Sequence, residues 1–171
     1  MRHLLLPALV ASLAGAAAFG QHGEGDAPHR HHLAFLAGGS HNTGKNGGTV
    51  GADYEYRFAR RFGALATFEY VGGDFREDLF AFTAAWHPWK GMRLVAGPGF
   101  DRELSEHEPP HDVHAPETHP RKYRGLFRVG GGYDWHLPRS FTIGPDLAVD
   151  ILKGEKVLVY GLNIGWGFGR H

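Results

Sequence analysis

The stretch His107-Glu108-Pro109-Pro110-His111 spells the H-E-x-x-H string of zinc peptidases. In that motif a helix sets both imidazoles on one face around Zn²⁺ and offers the glutamate as a base. Pro109 and Pro110 forbid such a helix, because proline lacks an amide hydrogen and clashes with the preceding turn. The string therefore carries no catalytic reading. A looser chemistry survives it. His107, His111, His114 and His119 are interleaved with Glu103, Glu106, Glu108, Asp112 and Glu117, and the N-terminal stretch adds His22, His29, His31 and His32. Neutral imidazoles beside carboxylates are ligands for Zn²⁺, Cu²⁺ or Ni²⁺. Thirteen histidines make weak metal scavenging an alternative reading; the plainer one is a solvated loop with no resident cofactor.

Nucleophilic catalysis finds few residues. Beyond residue 20 the only serines are Ser40, Ser105 and Ser140. Ser40 and His41 are neighbours, so a strand would point them to opposite faces. Ser140 and His136 share a turn with no evident acid to orient the imidazole, and Ser105 lies in a long connection. Gly130-Gly131-Gly132 opens no helix and so makes no phosphate loop. The expectation is a protein that is not an enzyme.

A third set is larger and more regular. Asp53, Glu55, Arg57, Glu69, Arg93, Asp101, Arg124, Arg128, Asp134, Asp146 and Asp150 all fall on the small-residue side of segments that alternate with period two, with His87 and His136 near segment ends. The other side of the same segments is large and apolar. Residues 157–168, V-L-V-Y-G-L-N-I-G-W-G-F, show it most plainly: Leu158, Tyr160, Leu162, Ile164, Trp166 and Phe168 share one face, and the face between them is mostly small. Side chains alternate across a strand, so each such segment has a greasy face and a sparse, charged one. Eight segments qualify, near 33–41, 49–58, 62–70, 80–86, 92–101, 124–136, 141–151 and 157–168.

A soluble sandwich or lipocalin-like barrel is the alternative; it would turn the large face inward, and an opposite face lined by glycine is harder for it to explain. A membrane barrel turns it outward to lipid and keeps charge inside. The fold class read here is all-β: one eight-stranded antiparallel up-and-down transmembrane β-barrel over residues 33–168, with a long loop at about 102–123. Aromatics near segment ends (Tyr54, Tyr56, Phe58, Trp86, Tyr133, Trp135, Trp166, Phe168) fit an interfacial girdle. Pro98 and Pro145, each after a glycine, are expected at bulges or bends, because a closed barrel has no free edge for them. Short turns at 59–61, 88–91 and 137–140 alternate with connections at 42–48, 72–78, 102–123 and 153–156, which puts both chain ends on the periplasmic side.

Residues 1–20 have a charged head, an apolar run and Ala16-Ala17-Ala18, the layout of a signal peptide. Residues 21–32 then form a His-rich tail. No cysteine is present, which excludes a lipoprotein anchor and disulfides. Eighteen basic residues balance eighteen acidic ones, so nothing suggests a nucleic-acid partner. Mean hydropathy is −0.32, and beyond residue 20 no run approaches the roughly 20 apolar residues of a membrane helix.

With the segments G-A-D-Y-E-Y-R-F (51–58), H-P-W-K-G-M-R-L-V-A-G-P-G (87–99) and F-R-V-G-G-G-Y-D-W (127–135) in view, the chain resembles the small eight-stranded outer-membrane barrels of the OmpA/OmpX architecture. The resemblance implies an outer-membrane location, with outer-membrane lipid and the outer-membrane assembly machinery as partners. It also implies a structural or surface-interaction role carried by outer loops, its surface partner unnamed, and, as a minority reading, a lipid A-modifying enzyme. Members of that class end on an aromatic residue, whereas here Phe168 is followed by Gly169-Arg170-His171. An eight-stranded interior is just wide enough for side chains to fill. The inward charges are therefore expected to pair into a network across a closed lumen, with an ion- or proton-conducting path through them as the sharper alternative.

Overall fold

Alternation of bulky and small residues favours a strand wherever the two faces meet different surroundings, and almost every described residue obeys it. The computed structural model describes residues 29–104 and 123–169. The expected leader, most of the His-rich tail and most of the long loop lie outside them. The strands are β1 (His31–Asn42), β2 (Lys45–Ala59), β3 (Phe62–Val71), β4 (Glu77–Trp86), β5 (Met92–Glu103), β6 (Tyr123–Tyr133), β7 (Trp135–His136), β8 (Phe141–Leu152) and β9 (Glu155–Phe168). The short β7 resumes β6 after a break at Asp134, since both pair with β8. Eight staves result. Each pairs antiparallel with its sequence neighbours, and β1 pairs with β9 from His31↔Phe168 to His41↔Leu158, which closes the ring.

The large face points outward. Tyr54, Phe82 and Ile164 are 41%, 63% and 58% exposed, and Phe35, Phe62, Phe127, Leu147, Leu162 and Trp166 join them. Glu55, Glu69, Arg93, Asp101, Arg128, Asp134 and Asp150 are buried. A water-soluble protein has no reason to invert its polarity in this way, but a wall against hydrocarbon has. The band has two edges. At one end His31 stacks on Phe168 at 5.2 Å, Trp166 lies 5.2 Å from Phe168, and Tyr133 sits 5.6 Å from Trp135. Toward the other end, Phe68, Phe80 and Phe100 form a row at 4.8 and 5.2 Å. The next outward row is Tyr70, Asp78, Arg102 and Tyr123, in which Asp78 and Arg102 are ion-paired. An outward ion pair directly beyond a row of phenylalanines marks where hydrocarbon gives way to water. Ten-residue strands such as β3 and β4 suit the roughly 9–11 residues of a tilted membrane strand.

Several expectations are corrected. β1 begins at His31 rather than at residue 33, because His31 and His32 pair with Tyr56 and Glu55. The connection expected at 42–48 shrinks to Thr43-Gly44, and that at 153–156 shrinks to Lys153-Gly154; both glycines turn with φ +87°. Past the membrane, pairing continues without alternation, helped by Ser40 to Thr49 at 2.6 Å and His41 to Asn46 at 2.8 Å. The short-long rhythm of connections is accordingly weaker than the sequence suggested.

The prolines cause no bulges. β5 keeps one register against β4 on both sides of Pro98, with Ala81↔Gly99 and Ala84↔Ala96, and the ladder simply lapses between. The same lapse faces Pro145, between Gly132↔Asp146 and Trp135↔Ile143. Each proline stays in register with its other neighbour, at Phe127 and at Leu162. The glycines before them let the next strand close in, since a Cβ on Gly97 would overlap the Phe82 carbonyl and one on Gly144 the Tyr133 carbonyl. The register shift that does occur lies in β2, between Arg57 and Ala59.

If the outer face meets lipid, Ile164→Arg costs about 2–4 kcal/mol at mid-membrane depth. A face exposed to water would keep the change within about 0.5 kcal/mol. Urea unfolding in phospholipid vesicles, followed by tryptophan fluorescence, separates the two.

Candidate functional site: the ion-paired lumen

The inward charges are set by strand parity and drawn together by closure. Nearest the chain ends, Glu55 on β2 is fully buried and accepts from Arg57 at 3.1 Å and from the His87 imidazole at 2.6 Å. His32 on β1 contacts the Thr142 hydroxyl at 2.9 Å. One level outward, Arg93 on β5 donates to Asp146 on β8 at 2.6 Å and lies 3.6 Å from Asp53 on β2. Thr67 donates to Asp53 at 2.6 Å, and the Asn163 amide to Asp146 at 2.9 Å. Next, Arg128 on β6 makes two bonds of 2.6 Å to Glu69 on β3, and bonds of 2.7 and 2.8 Å to Asp150 on β8. At the outer rim, Arg124 donates to Asp101 at 3.0 and 2.6 Å and to Glu77 at 2.5 Å.

These are ties across the lumen as much as along the wall. β3 and β6 are not neighbours, and neither are β5 and β8 or β5 and β2. The Arg128–Glu69 pair is bidentate, hence planar and directional, so that tie sets a distance as well as a charge. Around and outward of Arg128 the interior becomes apolar. Leu36, Val71, Leu79, Leu126, Leu152, Val157 and Val159 form one cluster, joined by Phe75 from the β3–β4 connection. Inward glycines make room for the ions. A Cβ on Gly51 would lie 2.7 Å from Glu69 Cγ, one on Gly63 2.5 Å from Glu55 Oε1, and one on Gly132 2.7 Å from Asp146 Oδ2.

A closed antiparallel barrel of this kind has counterparts among solved proteins. The N-terminal β-barrel domain of OprF from Pseudomonas aeruginosa matches with a TM-score of 0.58 at 15% identity, over 80% of this chain and 97% of that one. The chain has the fold of the small outer-membrane β-barrels. The attachment invasion locus protein Ail of Yersinia pestis matches in its crystal structure with a TM-score of 0.52 at 15% identity, over 84% of this chain and all of that one. Ail in a phospholipid bilayer nanodisc gives the same score and identity over 82% of this chain. No family model matches the sequence, and no curated protein does.

Within this barrel the eleven sequence-predicted charges divide into groups. Glu55 and Arg57 sit together, as do Asp53, Arg93 and Asp146, then Glu69, Arg128 and Asp150, then Asp101 and Arg124. Asp134 is buried at the break between β6 and β7, where its amide donates to the Gly91 carbonyl at 2.7 Å. His107, His111, His114 and His119 lie outside the described residues, as does Ser105. Ser40 is buried against Thr49 inside the lumen, so its hydroxyl faces no lipid.

Sequence reasoning put His32 in the tail rather than in the lumen, and missed Glu77 and the apolar cluster. Carrying the alternation of β4 backward from Phe80 would have placed Leu79 and Glu77 inward. Phe75 left no signal, because it belongs to a connection.

Replacing Arg128 by Met strands Glu69 and Asp150 in a confined space and costs about 3–5 kcal/mol of stability. Replacing all three residues with uncharged ones of similar volume recovers most of that loss. Gly63→Ala pushes Glu55 from its partners and costs about 1–3 kcal/mol. Urea titration read by gel mobility of the folded form checks all three outcomes.

Proposed function

We propose that this chain is a bacterial outer-membrane protein whose barrel is a sealed anchor, and that its work is done by the connections at the outer end. The observation that carries this reading is the Arg128–Glu69–Asp150 tie, which crosses the lumen amid the apolar cluster. Diffusion pores are built from about 16–18 strands, whereas eight strands leave an interior that side chains fill. The outer end holds the hairpin at Thr43-Gly44, the connection 72–76, the connection 104–122 and the hairpin at Lys153-Gly154. By length, 104–122 offers a partner the most chain. Ail is described as an attachment protein, and attachment of that general kind suits a barrel with no passage through it.

Two measurements test the reading. The protein should fractionate with the envelope and change its electrophoretic mobility on boiling, as folded membrane barrels do. Reconstituted into planar bilayers at neutral pH, it should give no sustained unitary conductance. Stable current steps would replace the sealed anchor with a conducting path through the charged layers.

A further inference from the structure

The Gly130-Gly131-Gly132 run lies within β6 and shapes the outer wall. In the half of β6 toward the chain ends the outward positions are Val129, Gly131 and Tyr133. The register row through the middle one reads Leu94, Gly131, Leu147 across β5, β6 and β8. Two outward leucines thus flank a position with no side chain. The row outward of it is Ala96, Val129, Val149, and the row toward the chain ends holds Met92 and Tyr133. The result is a trough of about 810 Å³ running along β6, floored by Gly130, Gly131 and Gly132 and walled by Leu94, Val129 and Leu147. Its lower end, beside the β4–β5 turn, is framed by Trp89, Tyr133, Trp135 and Lys90. On β9 and β1, the staves beyond β8, Leu162, Ile164 and Phe35 stand out instead.

We propose that this trough is a lipid site, holding one acyl chain of a glycerophospholipid from the periplasmic leaflet with its phosphate at Lys90. The inference rests on the outer-membrane reading above. Its volume falls within the roughly 300–1,000 Å³ of small-molecule sites. Its walls are apolar, and it opens on the face that meets hydrocarbon, so an alkyl chain is the matching occupant. Indole and phenol rings favour the headgroup level, and Trp89, Tyr133 and Trp135 mark that level at the trough's lower end. A lysine there is drawn to anionic phosphate. The longest connection, 104–122, leaves the opposite end of the barrel, which makes this leaflet the periplasmic one.

The test uses the full-length barrel, extracted from the envelope in mild detergent, exchanged into lipid-free detergent and examined by native mass spectrometry. Phosphatidylglycerol is then titrated back. Wild type should keep one glycerophospholipid per barrel. Val129→Trp, an outward change that lays a ring over the trough, should lower retention roughly tenfold, the equivalent of about two displaced methylenes. Phe35→Trp on β1, three staves from β6, should leave retention unchanged. Equal retention in wild type and Val129→Trp overturns the site, as does no retained lipid, a retained lipopolysaccharide, or a polypeptide bound there in place of lipid. If the variants still shift on boiling, any such failure belongs to the trough alone. A wild-type protein absent from the envelope would overturn the trough and the location together.

Discussion

A backbone amide or carbonyl in hydrocarbon has no water to turn to, and this protein's architecture follows from that single constraint. Strands can satisfy it only by pairing on both sides, so the sheet must close. β1 and β9 do this along almost the whole of β1, although they lie at opposite ends of the chain. Closure then dictates an inside and an outside. It turns a modest alternation in each strand into a continuous apolar exterior and an interior of ion pairs beside one apolar cluster.

The core has a problem of its own, because ions held in a narrow, poorly solvated space are costly unless paired. The answer here is layered. Glu55 with Arg57 and His87, Arg93 with Asp53 and Asp146, and Arg128 with Glu69 and Asp150 occupy successive levels. Inward glycines leave the room these side chains need. The small face that marked the segments in the sequence is therefore not empty space. It is the complement of long charged residues reaching in from neighbouring strands. Such layers specify the barrel, because each guanidinium finds its carboxylates at one register and would lose them after a slip.

The prolines show how much local irregularity a closed ring absorbs. Pro98 and Pro145 each lack the amide one neighbour would need, and the ladder lapses on that side only. A bulge would have flipped every later side chain to the other face, carrying charge into lipid and phenylalanine into the lumen. Keeping register at the expense of a bond or two is the smaller loss. The preceding glycines let the neighbouring backbone come close enough to maintain the wall.

What the sequence determined by itself is which face of each strand is which. That information is local: it resides in the alternation of Leu158, Tyr160, Leu162 and Ile164 with their small neighbours, and membrane burial depends on nothing longer in range. The same alternation named the eight staves and the inward charges. It could not reveal that Arg128 would meet Glu69, that Phe75 would fold into the apolar cluster, or that Leu94 and Leu147 would flank Gly131. Those pairings join residues far apart in the chain, and their distances exist only once closure and register have set the curvature of the wall. The hairpin tips escaped for the opposite reason. Beyond the membrane neither face is selected for polarity, so pairing at Asn42 and Lys45 continued where the pattern had already stopped.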